Sequence, residues 1–243
     1  MHMPDPKFSE MKRLEQVMQG IKREYAKRSP GKRTRLPVTP DILLKMRKVL
    51  ERDSKEHDAI MILAACCLCY FGFLRAGEIS VPSETAYDKG EHLNLSDVSV
   101  DSISDPKTLR VKIKASKTDP FRQGVDIFIG RTDNELCPVA AMLAFLAKRG
   151  QKEGMLFHFK DGKLLTRERF ASRVRSVLTT AGMDCKPYSG HSFRIGAATA
   201  AGRKGLPPAT IQTLGRWESS AYLLYIRMSR EELAGISKVI SVE

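Results

Sequence analysis

Three short motifs follow one another near the end of the chain: Gly190-His191-Ser192-Phe193-Arg194, Leu214-Gly215-Arg216-Trp217 and Tyr222-Leu223-Leu224-Tyr225-Ile226-Arg227. Together they offer an imidazole, a guanidinium, an indole N–H and a phenol. In the sequence, neither a cluster of metal ligands nor an acidic pair accompanies them. Guanidinium, imidazole and indole groups donate hydrogen bonds to phosphate oxygens, and a phenol oxygen can act as a nucleophile. The stretch therefore predicts a site that binds a phosphodiester and attacks it with a tyrosine oxygen.

The charge of the chain indicates a polyanionic partner. Its 243 residues include 41 lysines and arginines against 28 acidic residues, which gives a formal net charge of +13. An excess of this size is typical of proteins that bind nucleic acid. The alternative is a basic surface without a partner. We expect no transmembrane helix, because no apolar run is long enough, and the N-terminal residues do not form a signal peptide.

The cysteines predict free thiols rather than disulfides or a metal site. There are five, Cys66, Cys67, Cys69, Cys137 and Cys185, and three of them lie in one apolar segment. An odd number in a buried segment favours a reducing compartment, and their spacing fits no zinc template. We therefore expect no metal, no cofactor and no secretion, with a nuclear location in a eukaryote and a cytoplasmic one otherwise.

Hydrophobic periodicity predicts a mainly α fold with a small three-stranded antiparallel sheet. Thr39 and Thr166 are predicted N-caps, Ser189 or Ser192 a third, and Gly215 the C-terminal glycine of a helix. The predicted helices cover residues 8–28, 39–52, 58–73, 138–148, 166–180, 189–200, 206–214, 218–227 and 229–242. Alternating apolar residues predict strands over residues 95–100, 108–114 and 124–129. His158, flanked by aromatic residues, is predicted to be structural.

Two further residues are candidates for the chemistry, although each signal is weak alone. Arg75 follows a strongly apolar helix, and Glu78 lies three residues later. Arg75 could simply pair with Glu78, or Glu78 could orient Arg75 toward an anion. Lys117 lies in the loop between the second and third strands, where a lysine is usually just solvated.

Cleavage of a phosphodiester by tyrosine needs several kinds of group. The phosphorus centre accumulates charge on its nonbridging oxygens, which two arginines neutralise well, and histidine and indole can add donors. A loop lysine can protonate the leaving oxygen. The set Arg75, Lys117, His191, Arg194, Trp217 and Tyr225 supplies each of these roles without a metal ion.

The same residues, in this order, resemble those of the tyrosine recombinase (phage integrase) family. Leu74-Arg75-Ala76-Gly77-Glu78-Ile79 resembles its first arginine motif, and His191-Ser192-Phe193-Arg194 its His-x-x-Arg motif. Trp217 lies where the family carries histidine or tryptophan, and Tyr225-Ile226-Arg227 resembles the nucleophile segment. Ser116-Lys117-Thr118-Asp119-Pro120 resembles the hairpin that carries the family's lysine. The residues of the histidine and tryptophan motifs are similar to those in recombinases of eukaryotic DIRS-like and Crypton-like mobile elements.

The resemblance implies a domain organisation and a reaction. Residues 1–28 would be the terminal helix of a truncated core-binding domain, 29–36 a basic linker, and 37–243 the catalytic domain with its tail helix 229–242. Independently of the resemblance, the sequence of residues 1–4, Met-His-Met-Pro, could be a remnant added for expression. The family clamps double-stranded DNA, cuts one strand through a 3′-phosphotyrosine, and rejoins it to a new partner. It works as a tetramer on paired sites, and the state without DNA, including a monomer, stays open. The tail could dock on its own domain or on a neighbour.

Several alternatives remain open from the sequence. Tyr222 lies one helical turn before Tyr225 and is the rival nucleophile. The chain could be an inactive DNA-binding descendant of such an enzyme, or a nicking–closing enzyme of the type IB topoisomerase kind. Basic residues of the linker and of one helix are candidates for phosphate contact, namely Lys32, Arg33, Arg35, Arg167, Arg169, Arg173 and Arg175.

Overall fold

The chain divides into two units, Met1–Thr34 and Arg35–Glu243. The computed structural model describes residues 16–21, 24, 35–116, 119 and 122–226. In the first unit, residues 16–21 and 24 are helical, within the predicted helix 8–28. The remainder of that helix, residues 29–34 of the linker with Lys32 and Arg33, Lys117, and the predicted tail helix 229–242 lie outside the described residues. Arg35 and Leu36 donate hydrogen bonds to the carbonyl oxygens of Lys186 and Pro187 in the second unit.

The second unit is mainly helical with one small sheet, as the sequence predicts. Its helices are α1 (Pro40–Leu50), α2 (Glu56–Phe71), α3 (Ala76–Ile79), α4 (Pro138–Arg149), α5 (Arg167–Thr180), α6 (His191–Arg203) and α7 (Pro208–Gly215). Its strands are β1 (Val98–Val100), β2 (Thr108–Ile113) and β3 (Val125–Gly130), and short 3₁₀ helices cover Glu84–Ala86, Leu95–Asp97 and Ser220–Leu224. None of the helices described has both the length and the apolarity to cross a membrane.

Helix α2 lies at the centre of the core. Ten of its sixteen residues are buried, including Cys66, Cys67 and Cys69, because it packs against α1, α3, α4, α5 and α6. Its apolar residues surround the helix instead of forming one stripe, which is the pattern of a helix buried on all sides. All five cysteines are free thiols, as predicted.

The sheet is a simple meander. Strand β2 pairs antiparallel with β1 and with β3, so the spatial order is β1-β2-β3. Along β2, Leu109, Val111 and Ile113 are buried while Arg110 and Lys112 are exposed. This alternation is the period-two pattern that predicted the strand. Ser116 and Asp119 lie in the connection from β2 to β3.

Two predicted caps are confirmed. The Thr39 side chain accepts a hydrogen bond from the backbone N–H of Ile42, and Pro40 occupies the first helical position. The Thr166 side chain accepts from Arg169 in the same way at the start of α5. Each threonine satisfies a backbone donor that the first turn of a helix would otherwise leave unpaired.

Two other predicted caps are wrong. Helix α6 begins after Gly190 without a side-chain cap, and the Ser192 hydroxyl instead accepts from the backbone N–H of Ser189. Helix α7 includes Gly215 as its last residue, and the left-handed position after it is taken by Arg216. Glycine is needed at 215 for another reason, because a Cβ there would collide with the ring of Trp217.

Helix α6 is thin, as its small residues predict, and this allows close packing. A Cβ at Gly196 would collide with the carbonyl group of Val38, so the chain before α1 crosses α6 directly over this glycine. The Val38 backbone N–H also donates to the carbonyl of Ser192 at 2.9 Å. The start of α6 is thereby held against the segment that precedes α1.

Candidate active site

Arg75 and Glu78 are joined by two hydrogen bonds in the first turn of α3, and this pair is called the Arg75 corner. Arg75 is the N-cap of α3, and its backbone N–H donates to Glu78 Oε2 at 2.8 Å. The Arg75 guanidinium also donates from Nη1 to Glu78 Oε1 at 3.1 Å. The Glu78 side chain is only 4% exposed, whereas that of Arg75 is 17% exposed. The sequence predicted this pairing, and the geometry leaves the outer side of the Arg75 guanidinium facing a cleft.

Arg194 is fully buried and is held by two backbone carbonyls. Its Nη1 donates to the carbonyl oxygen of Phe73, and its Nη2 donates to that of Gly215. Phe73 has a positive φ of 51°, a conformation that a bulky residue adopts only when its surroundings enforce it. Burial, followed by repulsion from Arg75 and Arg216, lowers the pKa of Arg194 to about 10. In the described part of the chain, no carboxylate forms an ion pair with Arg194.

The Trp217 indole covers the Arg194 guanidinium. The Arg194 Cζ atom lies 4.1 Å from the centroid of the Trp217 ring. The Trp217 and Phe73 rings are nearly perpendicular, with their centroids 6.4 Å apart. Trp217 is 8% exposed. Its Nε1 is buried and has no hydrogen-bond partner among the described residues. A buried donor without a partner is costly, so this N–H is a group whose hydrogen bond the described protein leaves unmade.

Tyr225 contacts both of these residues. Its ring lies 5.0 Å from the Trp217 ring and 5.7 Å from the Arg194 Cζ atom. The rival Tyr222 lies 6.4 Å from the Trp217 ring. The predicted helix 218–227 is wrong in type, because this segment forms the 3₁₀ helix Ser220–Leu224 and Tyr225 follows its end. The Thr199 hydroxyl donates to the Tyr225 carbonyl at 3.1 Å and fixes the end of the segment against α6.

The histidine motif lies directly beside the Arg75 corner. A Cβ at Gly190 would stand 2.5 Å from the Cβ of Ala76, so only glycine allows this close approach of α6 to α3. His191 is exposed at the start of α6 and lines, with Arg75 and Arg167, an open cleft of about 630 Å³. Two motifs more than a hundred residues apart in sequence thus share one cleft.

Two described residues of the connection from β2 to β3 line the same cleft. Ser116 and Asp119, on either side of Lys117, line this cleft and also a neighbouring cleft of about 520 Å³ that Arg216 and Trp217 line. Lys117 itself lies outside the described residues, so its predicted role as the acid stays a prediction.

Arg216 is a residue of this site that the sequence analysis did not assign. Its Nη2 donates to Glu78 Oε2 at 3.0 Å and contacts the Phe73 carbonyl oxygen at 3.3 Å. Its backbone is left-handed, with φ 53° and ψ 49°. In the sequence, only its position between Gly215 and Trp217 connects Arg216 with the site. The local sequence does not predict a contact with a residue as distant as Glu78.

The arginines predicted to contact phosphate do not form a single surface. Arg167 is exposed and lines the cleft, and Arg175 is exposed on α5. Arg169 pairs with Glu84, and Arg173 Nη2 donates to Asp53 at 2.7 Å. Successive residues of a helix are 100° apart, so positions 167 and 175 point away from positions 169 and 173. Arg35 is exposed and donates to the Lys186 carbonyl.

His158 lies outside the cleft, as predicted. Its Nδ1 atom lies 3.2 Å from the Phe159 carbonyl oxygen, and its own carbonyl oxygen lies 3.2 Å from His57 Nε2. Burial lowers its pKa. Over the residues that the structure describes, no three His, Cys, Asp or Glu side chains are placed to share a metal ion.

Comparison with solved structures shows the fold. The XerA recombinase matches with a TM-score of 0.62 and 15% identity over 86% of this chain and 67% of its own. The XerH site-specific recombinase, in a post-cleavage complex with palindromic difH substrate, matches with a TM-score of 0.62 and 14% identity over 88% of this chain and 55% of its own. A lambda integrase dimer bound to a COC′ core site matches with a TM-score of 0.53 and 16% identity over 82% of this chain and 49% of its own.

The chain therefore has the tyrosine recombinase catalytic-domain fold and spans about half to two thirds of these relatives. A comparison with curated protein sequences gave no match. The profile of the phage integrase family matches residues 89–229, which is more than half of the chain. The chain is a member of the phage integrase family.

Proposed function

We propose that this chain cuts and rejoins DNA strands through a covalent bond between Tyr225 and a 3′ phosphate, in site-specific recombination or the integration of a mobile element. The observation that supports this most is the arrangement of Arg194, Trp217 and Tyr225, in which a phenol lies beside a buried guanidinium that has no carboxylate partner within the described chain. A phosphate bound at this guanidinium would lie within reach of the phenol oxygen.

The proposal gives each residue a role. The Tyr225 phenol gives up its proton to solvent water and its oxygen attacks phosphorus, which forms the phosphotyrosine bond and breaks the bond to the 5′ oxygen. Arg75 and Arg194 neutralise the nonbridging oxygens, since each keeps its charge and offers a planar set of donors. His191 and the unpartnered Trp217 Nε1 add donors to the same oxygens.

Protonation of the leaving 5′ oxygen is assigned to Lys117. Its neighbours Ser116 and Asp119 line the cleft that contains Arg75 and His191, which supports this role. An amine can transfer a proton in the transition state if its loop brings it to the leaving oxygen. The reverse reaction rejoins a 5′ hydroxyl to the phosphotyrosine and restores the DNA bond.

The partner in this proposal is double-stranded DNA, bound by a tetramer that pairs two sites. The net charge of +13 supports a polyanionic partner, and Arg167 and Arg175 are exposed on the side of α5 that leaves them open to phosphate contact. The proposal also includes an origin in a DIRS-like or Crypton-like element, which the sequence of residues 191–199 and 215–217 supports. It includes a nuclear location as well, which the free cysteines support.

A covalent-trapping experiment tests this function and finds the DNA site at the same time. The protein is incubated with nicked duplexes whose central segment is randomised. Because of the nick, cleavage releases a short fragment that carries the 5′ hydroxyl. Once this fragment has diffused away, the strand cannot be rejoined and the phosphotyrosine stays trapped. We expect an adduct that survives denaturation in detergent, is removed by protease, and is enriched in one DNA sequence.

The other outcomes separate the alternatives. Binding in a gel-shift assay without any adduct would show an inactive DNA-binding protein. Adducts without sequence enrichment, together with relaxation of an arbitrary supercoiled plasmid, would show a nicking–closing enzyme of the topoisomerase kind.

A further inference from the structure

Arg216 joins two parts of the site that are distant in the sequence. Its Nη2 donates to Glu78 at 3.0 Å, and the same nitrogen contacts the Phe73 carbonyl that Arg194 also uses. The Arg216 side chain is 16% exposed and the Glu78 side chain 4% exposed. Within the described chain, Nε and Nη1 of Arg216 are buried and have no hydrogen-bond partner. Only one side-chain nitrogen of Arg216, Nη2, is therefore bound, and it contacts both Glu78 and the Phe73 carbonyl oxygen.

The backbone of Arg216 indicates that this contact is maintained against strain. Its left-handed conformation disfavours a residue with a Cβ. Asparagine or glycine would fit this position after a helix with less strain. Residues held in such conformations are found where the surroundings determine them, often at functional sites.

The charges around Glu78 do not balance. Arg75 and Arg216 both bind Glu78, and Arg194 lies beside them with a guanidinium bound to carbonyls. Three positive charges thus share one carboxylate, which leaves an excess of two. Burial is the main cause of the lowered pKa of Arg194, and repulsion from Arg75 and Arg216 lowers it further.

An excess of two matches the proposed reaction. A phosphodiester carries one negative charge, and attack by a tyrosine oxygen that has lost its proton brings a second to the transition state. Without Arg216, the carboxylate of Glu78 would cancel half of the charge of Arg75 and Arg194. Electrostatic stabilisation of a transition state depends on such charges being fixed in advance.

We propose that Arg216 is a positioning residue that neutralises Glu78, so that Glu78 orients Arg75 without reducing the positive charge available to the phosphate. The identity of the anion as a phosphodiester rests on the proposed function. The charge relationship among Arg75, Arg194, Arg216 and Glu78 rests on the contacts alone.

A charge-exchange experiment tests this role without requiring DNA cleavage. Trp217 is the only tryptophan of the chain and covers Arg194, so its fluorescence reports binding of inorganic phosphate at the site. Phosphate is titrated into the wild type, Arg216→Gln, Glu78→Gln and the double variant. The Arg131→Gln variant is the control, because it removes one positive charge at an exposed residue that follows the end of β3.

We expect Arg216→Gln to weaken phosphate binding about tenfold, the effect of one charge-assisted interaction. Glu78→Gln should bind phosphate at least as tightly as the wild type. The double variant restores the excess of two and should return to within about threefold of the wild type. Arg131→Gln should bind as the wild type does. Arg216→Lys keeps the charge, and we expect it to stay within about threefold as well.

Other results would overturn the proposal. If Arg216 only maintained the shape of the site, the double variant would bind phosphate more weakly than either single variant. An equal loss in Arg131→Gln would mean that only the overall charge matters. A wild type with no saturable response to phosphate would also contradict it. Failure to trap a DNA adduct, with the phosphate results as expected, would reject the proposed reaction and leave the role of Arg216 standing.

Discussion

The guanidinium carbon of Arg194 lies 4.1 Å from the centre of the Trp217 ring, and the Trp217 ring in turn lies 5.0 Å from that of Tyr225. A cation over an indole face is attracted by the ring electrons, by about 2 kcal/mol where both are desolvated. This contact, with two backbone carbonyls, compensates in part for burying Arg194 without a carboxylate. It also fixes the distance between the buried charge and the segment that carries the tyrosines.

The two tyrosines are expected to differ in function. Tyr225→Phe should abolish the covalent DNA adduct, since it removes the phenol oxygen while keeping the ring that packs on Trp217. Tyr222→Phe should retain adduct formation. The measurement is the fraction of trapped nicked duplex that migrates with the protein under denaturing conditions. An adduct that persists in Tyr225→Phe and disappears in Tyr222→Phe would make Tyr222 the nucleophile.

Gly190 is expected to be needed for the close approach of the two motifs. The alanine Cβ of Gly190→Ala would stand 2.5 Å from the Cβ of Ala76, so α6 and α3 must separate. Overpacking of this kind costs about 1–3 kcal/mol of unfolding free energy, and the separation moves His191 away from Arg75. Urea denaturation and the trapping assay should both show a loss.

The matched control for this prediction is the double variant Ala76→Gly, Gly190→Ala. It places the methyl group on the other helix, and we expect it to recover most of the stability and of the adduct. Recovery is possible because Gly190 has an ordinary backbone conformation, φ −57° and ψ −22°. A double variant as unstable as Gly190→Ala would show that the steric contact is not the cause.

Stability is expected to fall in alkaline solution because of the buried thiols of α2. Burial raises the pKa of Cys67 from 9.0 to about 12 and raises those of Cys66 and Cys69 well above 9.0. The unfolded chain loses these protons above about pH 9 while the folded chain keeps them, so the stability present below pH 9 is lost as the pH rises. Each thiol contributes a slope of about 1.4 kcal/mol per pH unit.

Arg194 opposes this trend, because burial lowers its pKa to about 10 and its loss of a proton above that pH favours the folded state. The lowered pKa values of Cys137 and Arg149 act in the same direction. Tyr70 adds to the effect of the thiols, because burial raises its pKa to about 12. Unfolding free energies from urea titrations at several pH values between about 8 and 11 measure the net slope. Replacing all three cysteines by alanine should flatten the profile, and an unchanged slope in that variant would contradict this explanation.

Local sequence patterns predicted the elements of the fold well. The period-two alternation of Leu109, Val111 and Ile113 identified β2, and the threonines at 39 and 166 marked the starts of two helices. These features depend on residues close in sequence. The order of the motifs also indicated which side chains to compare, and the structure places Arg194, Trp217 and Tyr225 in contact.

Long-range contacts could not be predicted in the same way. The Arg216 side chain binds Glu78, which is 138 residues away. The backbone of Arg216 is left-handed, and the local sequence does not predict this conformation. Gly215 was assigned to a helix cap, whereas the reason for glycine there is the ring of Trp217. The α5 arginines, in contrast, lie on different sides of their helix for a reason that the sequence contains. Positions 167 and 169 are separated by about 200° around the helix axis.

The carbonyl oxygen of Phe73 has a consequence for how this protein can change. Because the group that receives Arg194 and Arg216 belongs to the main chain, no replacement of the Phe73 side chain deletes it. A change in the length of the preceding helix would displace it, since each residue added or removed turns a helix end by 100° and moves it 1.5 Å. Substitutions within α2 should therefore be tolerated far better than insertions or deletions, and the number of residues in the most apolar helix is itself a requirement of the site.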